Sequence, residues 1–302
     1  MNMTNTFYFD LVDNLYEGVY FVDKNQVITT WNKRAEAITG YKRDEVVGSQ
    51  CSDNILRHLD KFNNEICISG CPLHQTLTDG KLREAELFLH HKDGHRVPVK
   101  IRISPMYDEN NTICGASEIF FDLSKTLDII TLYSNTTSID LRDTLTGLGN
   151  SLMLEMYYNK VKTSIDLDGL MYGYILCDID DLNTINTIHG KDFGTKCIEI
   201  VAKNLKNLIR EFDIAFRIDG GTFIVIVENI TFDELEFISE RIRFFTEKSW
   251  MSAYDSSIFY FSLSAGACMV SKHATQEETH NCATALLRQS KAKGKNTITC
   301  SK

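Results

Sequence analysis

The sequence is short of proline, of long apolar runs and of positive charge, and each shortage excludes something. Only three prolines occur among 302 residues, so there is no proline-rich spacer. No apolar run approaches the roughly 20 residues that a helix needs to span a bilayer, so no membrane partner is expected. Met1-Asn-Met-Thr-Asn-Thr6 lacks the basic and apolar parts of a secretion signal. The expected location is therefore the cytoplasm. The net charge is −9 and the pI about 5.4, which argues against a nucleic-acid partner held by phosphate neutralisation. What is present is core material. The hydrophobic fraction is 43%, and the length suggests about two domains of ordinary size. Nine cysteines, an odd count, read as reduced thiols rather than a disulfide framework.

Along the first part of the chain the pattern alternates between strand and helix. Phe7, Leu11 and Leu15 predict a short amphipathic helix over residues 7–20. Gly18 to Val22 and Gln26 to Trp31 flank the turn residues Asp23-Lys-Asn25 as a hairpin. Asn32 to Ile38 reads as a helix stopped at Thr39-Gly40. Glu84 to His91 and Arg96 to Ser104 alternate around Lys92-Asp93-Gly94, and Thr112 to Phe121 gives a last strand. Strands at both ends with helices between predict one antiparallel sheet with helices on one face, an α+β domain.

These residues carry a resemblance. Asp23, Ile28-Thr-Thr-Trp31-Asn32, Ala35, Ile38-Thr-Gly-Tyr41, Glu45 and Gly48 resemble a PAS sensor domain, as do the later His91-Lys-Asp-Gly94 turn with Pro98-Val99 and the closing Phe121-Asp122-Leu-Ser124. The likeness covers residues 9–122, after a tail at 1–8. It leaves the ligand unknown, since PAS domains bind haem, flavin, small acids or nothing. Cys51 stands at the spacing of the photoreactive cysteine of flavin-binding relatives, but Ser52-Asp-Asn-Ile55 replaces what should follow. His58, His74, His90, His91 and His95 are haem-ligand candidates, the last three reading as surface residues beside a turn. Cys51, Cys67, Cys71 and His74 have the types and some of the spacing of a metal or ligand site. The alternative is small buried thiols beside a pocket.

Residues 123–142 carry Leu123, Leu127, Ile130, Ser134 and Leu141 near heptad spacing. They predict a signalling helix that pairs with its copy in a homodimer, against the alternative of a plain linker.

From residue 143 the chain reads differently. Helices are expected at Ser151 to Lys162, Phe193 to Arg210, Phe232 to Phe245 and His280 to Lys293. Strands are expected at Leu170 to Cys177 and Phe259 to Met269. Ile214, Phe216 and Ile218, then Asp219-Gly220-Gly221, then Phe223 to Val227 predict a β-hairpin with a tight turn. The sum is a palm-like α/β domain, a mixed sheet flanked by helices. Asp178-Ile179-Asp180 places carboxylates at a strand's end. With acids from a second place they would hold metal ions for phosphoryl transfer, Lys291 and Lys295 would meet phosphates, and Asn186 a base edge.

That order resembles the GGDEF family, the diguanylate cyclases, which join two GTP molecules into cyclic di-GMP. Asp143-Thr-Leu-Thr-Gly-Leu148 with Asn150, then Asp178-Ile179-Asp180, then Asn186 and Gly190, then Lys291, Gly294, Lys295 and Asn296 match its motifs, over residues 143–302 taken as one domain. Arg217 and Phe223 bracket the name-giving signature with no gap. Between them stand Asp219, Gly220, Gly221 and Thr222, so Gly221 replaces the metal-holding acid and Thr222 the glutamate. Asn183 replaces a phosphate-facing lysine, and Thr187 and Thr195 replace aspartates, the latter one that grips guanine. The resemblance implies Mg²⁺ with Asp178 and the Ile179 backbone as residual ligands, while the lost acids argue against it. Asp219 sits two positions early and is expected to point elsewhere. Arg210-Glu-Phe-Asp213, with Arg241 on the next helix, matches the family's inhibitory cyclic di-GMP site, against the alternative of a helix cap and surface pair. The expectation is a catalytically degenerate receptor of cyclic di-GMP or GTP, or a protein-interaction output. The alternative is an active cyclase with an atypical metal site.

Overall fold

The computed structural model describes residues 10–302 except 52, 54, 69, 125–139, 211 and 254–256. Most of the expected signalling helix at 123–142, and the start of the expected helix at 7–20, lie outside the described residues. The chain divides into two units, Met1–Ser124 and Lys125–Lys302.

In the first unit, five strands form one antiparallel sheet in the order β2-β1-β5-β4-β3: β1 Gly18–Asp23, β2 Ile28–Trp31, β3 Arg83–His90, β4 Arg96–Tyr107 and β5 Ile113–Asp122. Three helices lie between β2 and β3: α1 Lys33–Thr39, α2 Arg43–Val46 and α3 Pro72–Asp79. The leading helix ends at residue 13, earlier than its periodicity predicts, because the chain must become extended for β1 at Gly18. Asn32 explains the local geometry. Its side-chain oxygen caps α1 at the Ala35 amide (2.7 Å), and its amide nitrogen donates to the carbonyls of Val12 and Glu17 (2.8 and 3.0 Å). The core is built on Tyr20, Trp31 and Phe120, with ring centroids 5.5–6.3 Å apart. Proline at the first helical position starts α3, so Cys71-Pro-Leu-His74 is a helix start and not a loop.

The second unit has a five-stranded mixed sheet in the order β12-β11-β6-β8-β7: β6 Tyr172–Ile179, β7 Ile214–Asp219, β8 Thr222–Glu228, β11 Leu263–Met269 and β12 Ile298–Ser301. Among the pairs of strands in the described residues, β11–β12 alone is parallel. A separate ribbon joins β9 Trp250–Ser252 and β10 Ile258–Tyr260, so the strand expected from Phe259 is two pieces. The helices are α4 Ser151–Asp168, α5 Leu182–His189, α6 Lys191–Leu208, α7 Phe232–Glu247 and α8 Gln276–Ala292. Alternation decides which face each covers. Tyr172, Tyr174 and Leu176 of β6 join Ile224, Ile226 and Phe216 in a core closed by Tyr157 and Val161 of α4 and Leu286 and Leu287 of α8. Gly173, on the opposite face, meets Leu235 of α7. Burying a side chain the size of Phe216 stabilises by about 1.5–3 kcal/mol, so these two faces fix β6 at the sheet's centre.

Candidate functional site

The hairpin β7–β8 forms with the expected turn, but only Gly220 takes a positive φ (45°). The register passes from Arg217↔Phe223 to Asp219↔Thr222, leaving Ile218 as a bulged residue. On its other side β8 pairs with β6, so Thr222 stands opposite Asp178. The Thr222 hydroxyl donates to Asp178 Oδ1 (2.8 Å), and Lys291 Nζ, from α8, donates to Asp178 Oδ2. Both oxygens of Asp178 are thus engaged by neighbours within the chain.

Gly221 is buried, and its carbonyl accepts from the Ile179 amide (3.1 Å). A Cβ at 221 would lie 2.8 Å from Leu182 Cδ2 and 3.1 Å from Ile179 Cβ. Apolar side chains therefore fill the space where an acid would project. Asp219 is exposed and stands two strands from Asp178, about 10 Å at the usual strand spacing. Thr222 stands between them in the register, with its hydroxyl on Asp178.

The other acids of the strand's end have structural partners. Asp180 is 5% exposed and accepts from the hydroxyls of Ser262 and Ser264 (2.7 Å each) and the amide of Asn296 (2.9 Å). Asp181, at φ 56°, precedes α5 and binds Lys295 Nζ at 2.5 Å. Lys295 and Asn296 follow Gly294 with φ of 65° and 45°, a left-handed run that non-glycine residues adopt at a cost. The two lysines expected to meet phosphates are thereby brought to one mouth, each on an aspartate. Asn186, on α5, lies against α6: a Cβ at Gly194 would come 1.9 Å from Asn186 Oδ1, so a side chain there would displace Asn186. Thr187 and Thr195 return their hydroxyls to the carbonyls of Asn183 (2.8 Å) and Lys191 (3.0 Å) within their own helices.

Two side chains tie the hairpin down from a distance. Arg217 Nη1 donates to both oxygens of Asp143 (3.1 Å each), and Arg217 Nε donates to the Gly220 carbonyl (3.0 Å). Burial raises the Asp143 carboxyl, but hydrogen bonds from Thr146 and the charge of Arg217 outweigh it and hold the group below its ordinary range.

Just before β7, Asp213 is buried and staples its turn: its oxygens accept from the amides of Arg210 (2.7 Å) and Glu228 (3.1 Å). Arg210 is exposed and pairs with Glu234 at 3.3 Å. Arg241 lies on α7 near Phe245, and burial first, then the charge of Arg210, lower its guanidinium below the ordinary range. The charge of Arg210 thus reaches Arg241, while Asp213 serves the turn.

In the first unit a buried polar cluster crosses the core. Tyr20 donates its hydroxyl to Glu118 Oε2 (2.8 Å), and Glu118 Oε1 faces His58 Nε2 at 3.7 Å. His58 Nδ1 lies 3.9 Å from Cys67 Sγ, which also accepts from the His58 amide (3.2 Å). Burial raises Glu118 to about 7 and lowers His58 to about 4. Burial also raises Cys51, Cys67 and Cys71, and each feels another thiol of the set or Glu118. His74, expected with these cysteines, is exposed and turns Nδ1 to Gln26 Nε2 (3.2 Å). The imidazole beside Cys67 is His58. His90 and His95, expected at the surface, are 0% and 8% exposed. Their turn folds back on α1, where Lys92 donates to the Thr39 carbonyl (2.8 Å).

The sequence pattern of the diguanylate cyclase GGDEF domain matches residues 140–297, just over half of the chain. The chain belongs to that family. A PAS domain pattern matches residues 17–125, giving a PAS domain followed by a GGDEF domain. An uncharacterised membrane protein of Staphylococcus haemolyticus is 27% identical over 182 residues, 59% of this chain and 50% of the relative. The diguanylate cyclase DosC of Escherichia coli is 27% identical over 156 residues, 52% of this chain and 34% of the relative. The chain thus spans about half or less of the length of these relatives. Among solved structures, the diguanylate cyclase SiaD of Pseudomonas aeruginosa, determined with its activator SiaC, superposes with a TM-score of 0.53 at 22% identity, covering 57% of this chain and 66% of that one. The coiled coil and GGDEF domain of DgcB from Caulobacter crescentus, determined with c-di-GMP, gives 0.52 at 19% identity, covering 57% and 93%. Both likenesses bear on the fold. No helix among the described residues is long and apolar enough to cross a membrane.

Within the GGDEF domain, the sequence reading missed Leu182, which lies against Gly221, and it took Asp180 for a metal-side carboxylate where the structure has it hold the closing loop. Leu182 follows the metal strand as an ordinary helix residue, and nothing local marks it. Within the PAS domain it missed Glu118 and Tyr20, whose alternating strand positions give no sign that they meet.

Proposed function

We propose that the GGDEF domain of this chain does not make cyclic di-GMP but serves cyclic di-GMP signalling as a nucleotide-responsive relay under the PAS domain. The observation that carries this reading is the state of Asp178, with Thr222 on one oxygen, Lys291 on the other and no neighbouring acid at Gly221. Metal-assisted phosphoryl transfer uses carboxylates to fix ions that neutralise the phosphates and activate the attacking hydroxyl. One carboxylate already held by an ammonium, beside a leucine plug, does not fit a Mg²⁺ centre. Purified full chain incubated with GTP and Mg²⁺ or Mn²⁺ is expected to yield no cyclic di-GMP above a protein-free blank. Clear turnover would replace this reading with the second one, an active cyclase with an atypical metal site.

The ligand of the relay is cyclic di-GMP at Arg210 and Arg241. Two neighbouring guanidiniums repel each other and are relieved by an arriving phosphate, which each can bind with two parallel hydrogen bonds. Asp213 accepts from two backbone amides and so holds the turn that presents Arg210. GTP is the weaker candidate, at Asn186, Lys291 and Lys295, since Thr195 leaves the base without its carboxylate. The output then passes through residues 123–142 to a second copy of the chain or to a protein partner. Calorimetry should give a Kd for cyclic di-GMP in the micromolar range or tighter, abolished by Arg210→Ala. Absence of binding heat in the unaltered protein would remove the receptor role and leave only the protein partner.

A further inference from the structure

We propose that the PAS domain binds one borderline divalent metal ion, of the zinc and nickel class, on the turn between β3 and β4, with His91 Nδ1, Asp93 and His95 as its ligands. Among the described residues, these three side chains form the one group of ligand type close enough to hold an ion: their ligand atoms all lie within 4.8 Å of one another. Cys51, Cys67, Cys71 and His74, expected from the sequence as a metal or ligand site, form no such group among the described residues. The turn itself aims the groups. The His91 amide donates to the His95 carbonyl (2.9 Å), the Gly94 amide donates to the His91 carbonyl (2.8 Å), and Gly94 takes a φ of 98°. That reversal, open to glycine at little cost, carries His95 back beside His91, with ring centroids 4.3 Å apart. Asp93 stands between them in the chain, and its Oδ2 is 3.7 Å from His91 Nδ1. Two ligands about 2.0–2.1 Å from one ion lie roughly 3.4 Å apart at the tetrahedral angle, so this pair is close to the spacing already. The wider separations shrink as the stacked rings open, because ligating nitrogens converge on an ion while those of stacked rings run side by side.

The tautomer of His91 suits the ion. Its Nδ1 accepts from the Asp93 amide (3.0 Å), so it is the nitrogen that carries the lone pair. An ion takes the place of that amide hydrogen, and the amide, on an exposed residue, turns to water. The ring is backed on its other edge. A Cβ at Gly40 would lie 2.6 Å from His91 Cε1 and 2.9 Å from Nε2, so that edge rests on the end of α1 and Nδ1 is left on the side of Asp93. Lys92, the one cation within the turn, is neutralised by Glu45 and does not oppose an arriving dication. Two imidazoles and one carboxylate, with no thiolate, suit zinc or nickel better than magnesium or calcium, and they leave further positions to water. The Lys92 amide donates to the Thr39 carbonyl (2.8 Å), so an ion here straps a turn already joined to the end of α1. The site belongs to the PAS domain and does not rest on the reading of the GGDEF domain.

Zn²⁺ and Ni²⁺, each alone, are the probes, with the full chain as the protein. Calorimetry should show a one-to-one step with a Kd in the micromolar range for either ion. His91→Gln should weaken that step at least about 10-fold, and Asp93→Asn several-fold, since a carboxamide is the poorer ligand. His74→Gln, an exposed histidine outside the turn, and Cys282→Ser, an exposed thiol in the second unit, should leave it unchanged. Unaltered protein that shows no step, or His91→Gln with an unaltered step, overturns the proposal. Because a substitution at 91 could disturb the turn itself, chemical modification of the unaltered protein gives an independent reading. Zn²⁺ should slow carbethoxylation of His91 but not of His74, mapped by mass spectrometry, and equal rates at His91 with and without zinc would refute the site.

Discussion

Gly221 stands where a side chain would be crowded. Leu182 and Ile179 stand where a Cβ would go, and a carboxylate added there would be buried beside apolar atoms. Gly221→Asp should therefore destabilise its domain by about 1–3 kcal/mol through overpacking alone, read as a fall of several degrees in melting temperature. Leu182→Ala in the same chain should recover part of that loss, with a coupling energy of about 0.5 kcal/mol or more in a double-mutant cycle. Additive single effects would show that Leu182 is not the obstacle. Asp143 makes a different prediction, in pH. Its folded carboxyl is held below the ordinary value of 3.8. Its contribution is therefore present above that value and lost as pH falls through the lower folded one. The stability gap between the unaltered protein and Asp143→Asn, measured by urea unfolding, should be constant from neutral pH down to about 5 and shrink below about 4. A gap that widened on acidification would reverse the sign.

At the level of elements, helix α7 links stability to binding. Glu234 accepts from the amide and hydroxyl of Thr231 (2.9 Å each), closing the capping box, while its other oxygen holds Arg210. Glu234→Ala should cost about 0.5–1 kcal/mol in stability and yet tighten cyclic di-GMP by a few-fold, since it releases an exposed arginine pair worth at most about 1 kcal/mol. Weaker binding in that variant would mean Glu234 assists the ligand instead of competing with it. Which elements the sequence disclosed follows from how each is stabilised. Helix α6 was legible because Ile198, Val201, Ala202 and Leu205 repeat on one face that is buried along its length. The hairpin was legible from its glycines and its apolar alternation. Helix α5 was not: Thr184, Ile185, Thr187 and Ile188 are β-branched, Ile188 is 68% exposed, and its buried residue is Ile185. Strand β12 has four half-buried residues at a sheet edge and exists because β11 offers a free side. The cluster of His58, Cys67, Glu118 and Tyr20 was half visible, as cysteines. Glu118 and Tyr20 are 98 positions apart and meet only because β1 and β5 are neighbours.

For the whole molecule, the two units have separate cores, one around Trp31 and Phe120 and the other around Tyr174 and Phe216. Chains of this kind need not unfold in one step. Differential scanning calorimetry should resolve two transitions, and saturating cyclic di-GMP should raise only the one that Gly221→Asp lowers, by the mass action of a ligand that binds the folded form. Equal shifts of both would mean that the units unfold as one cooperative body.

The contact at Leu182 also bears on redesign. An acid at 221 would have its Cβ 2.8 Å from Leu182 Cδ2, and an acid at 222 would take the place of the hydroxyl that Asp178 accepts from. Positions that touch do not act additively. Installing a second carboxylate beside Asp178 is therefore a design problem at 182, 221 and 222 together, not at any one of them.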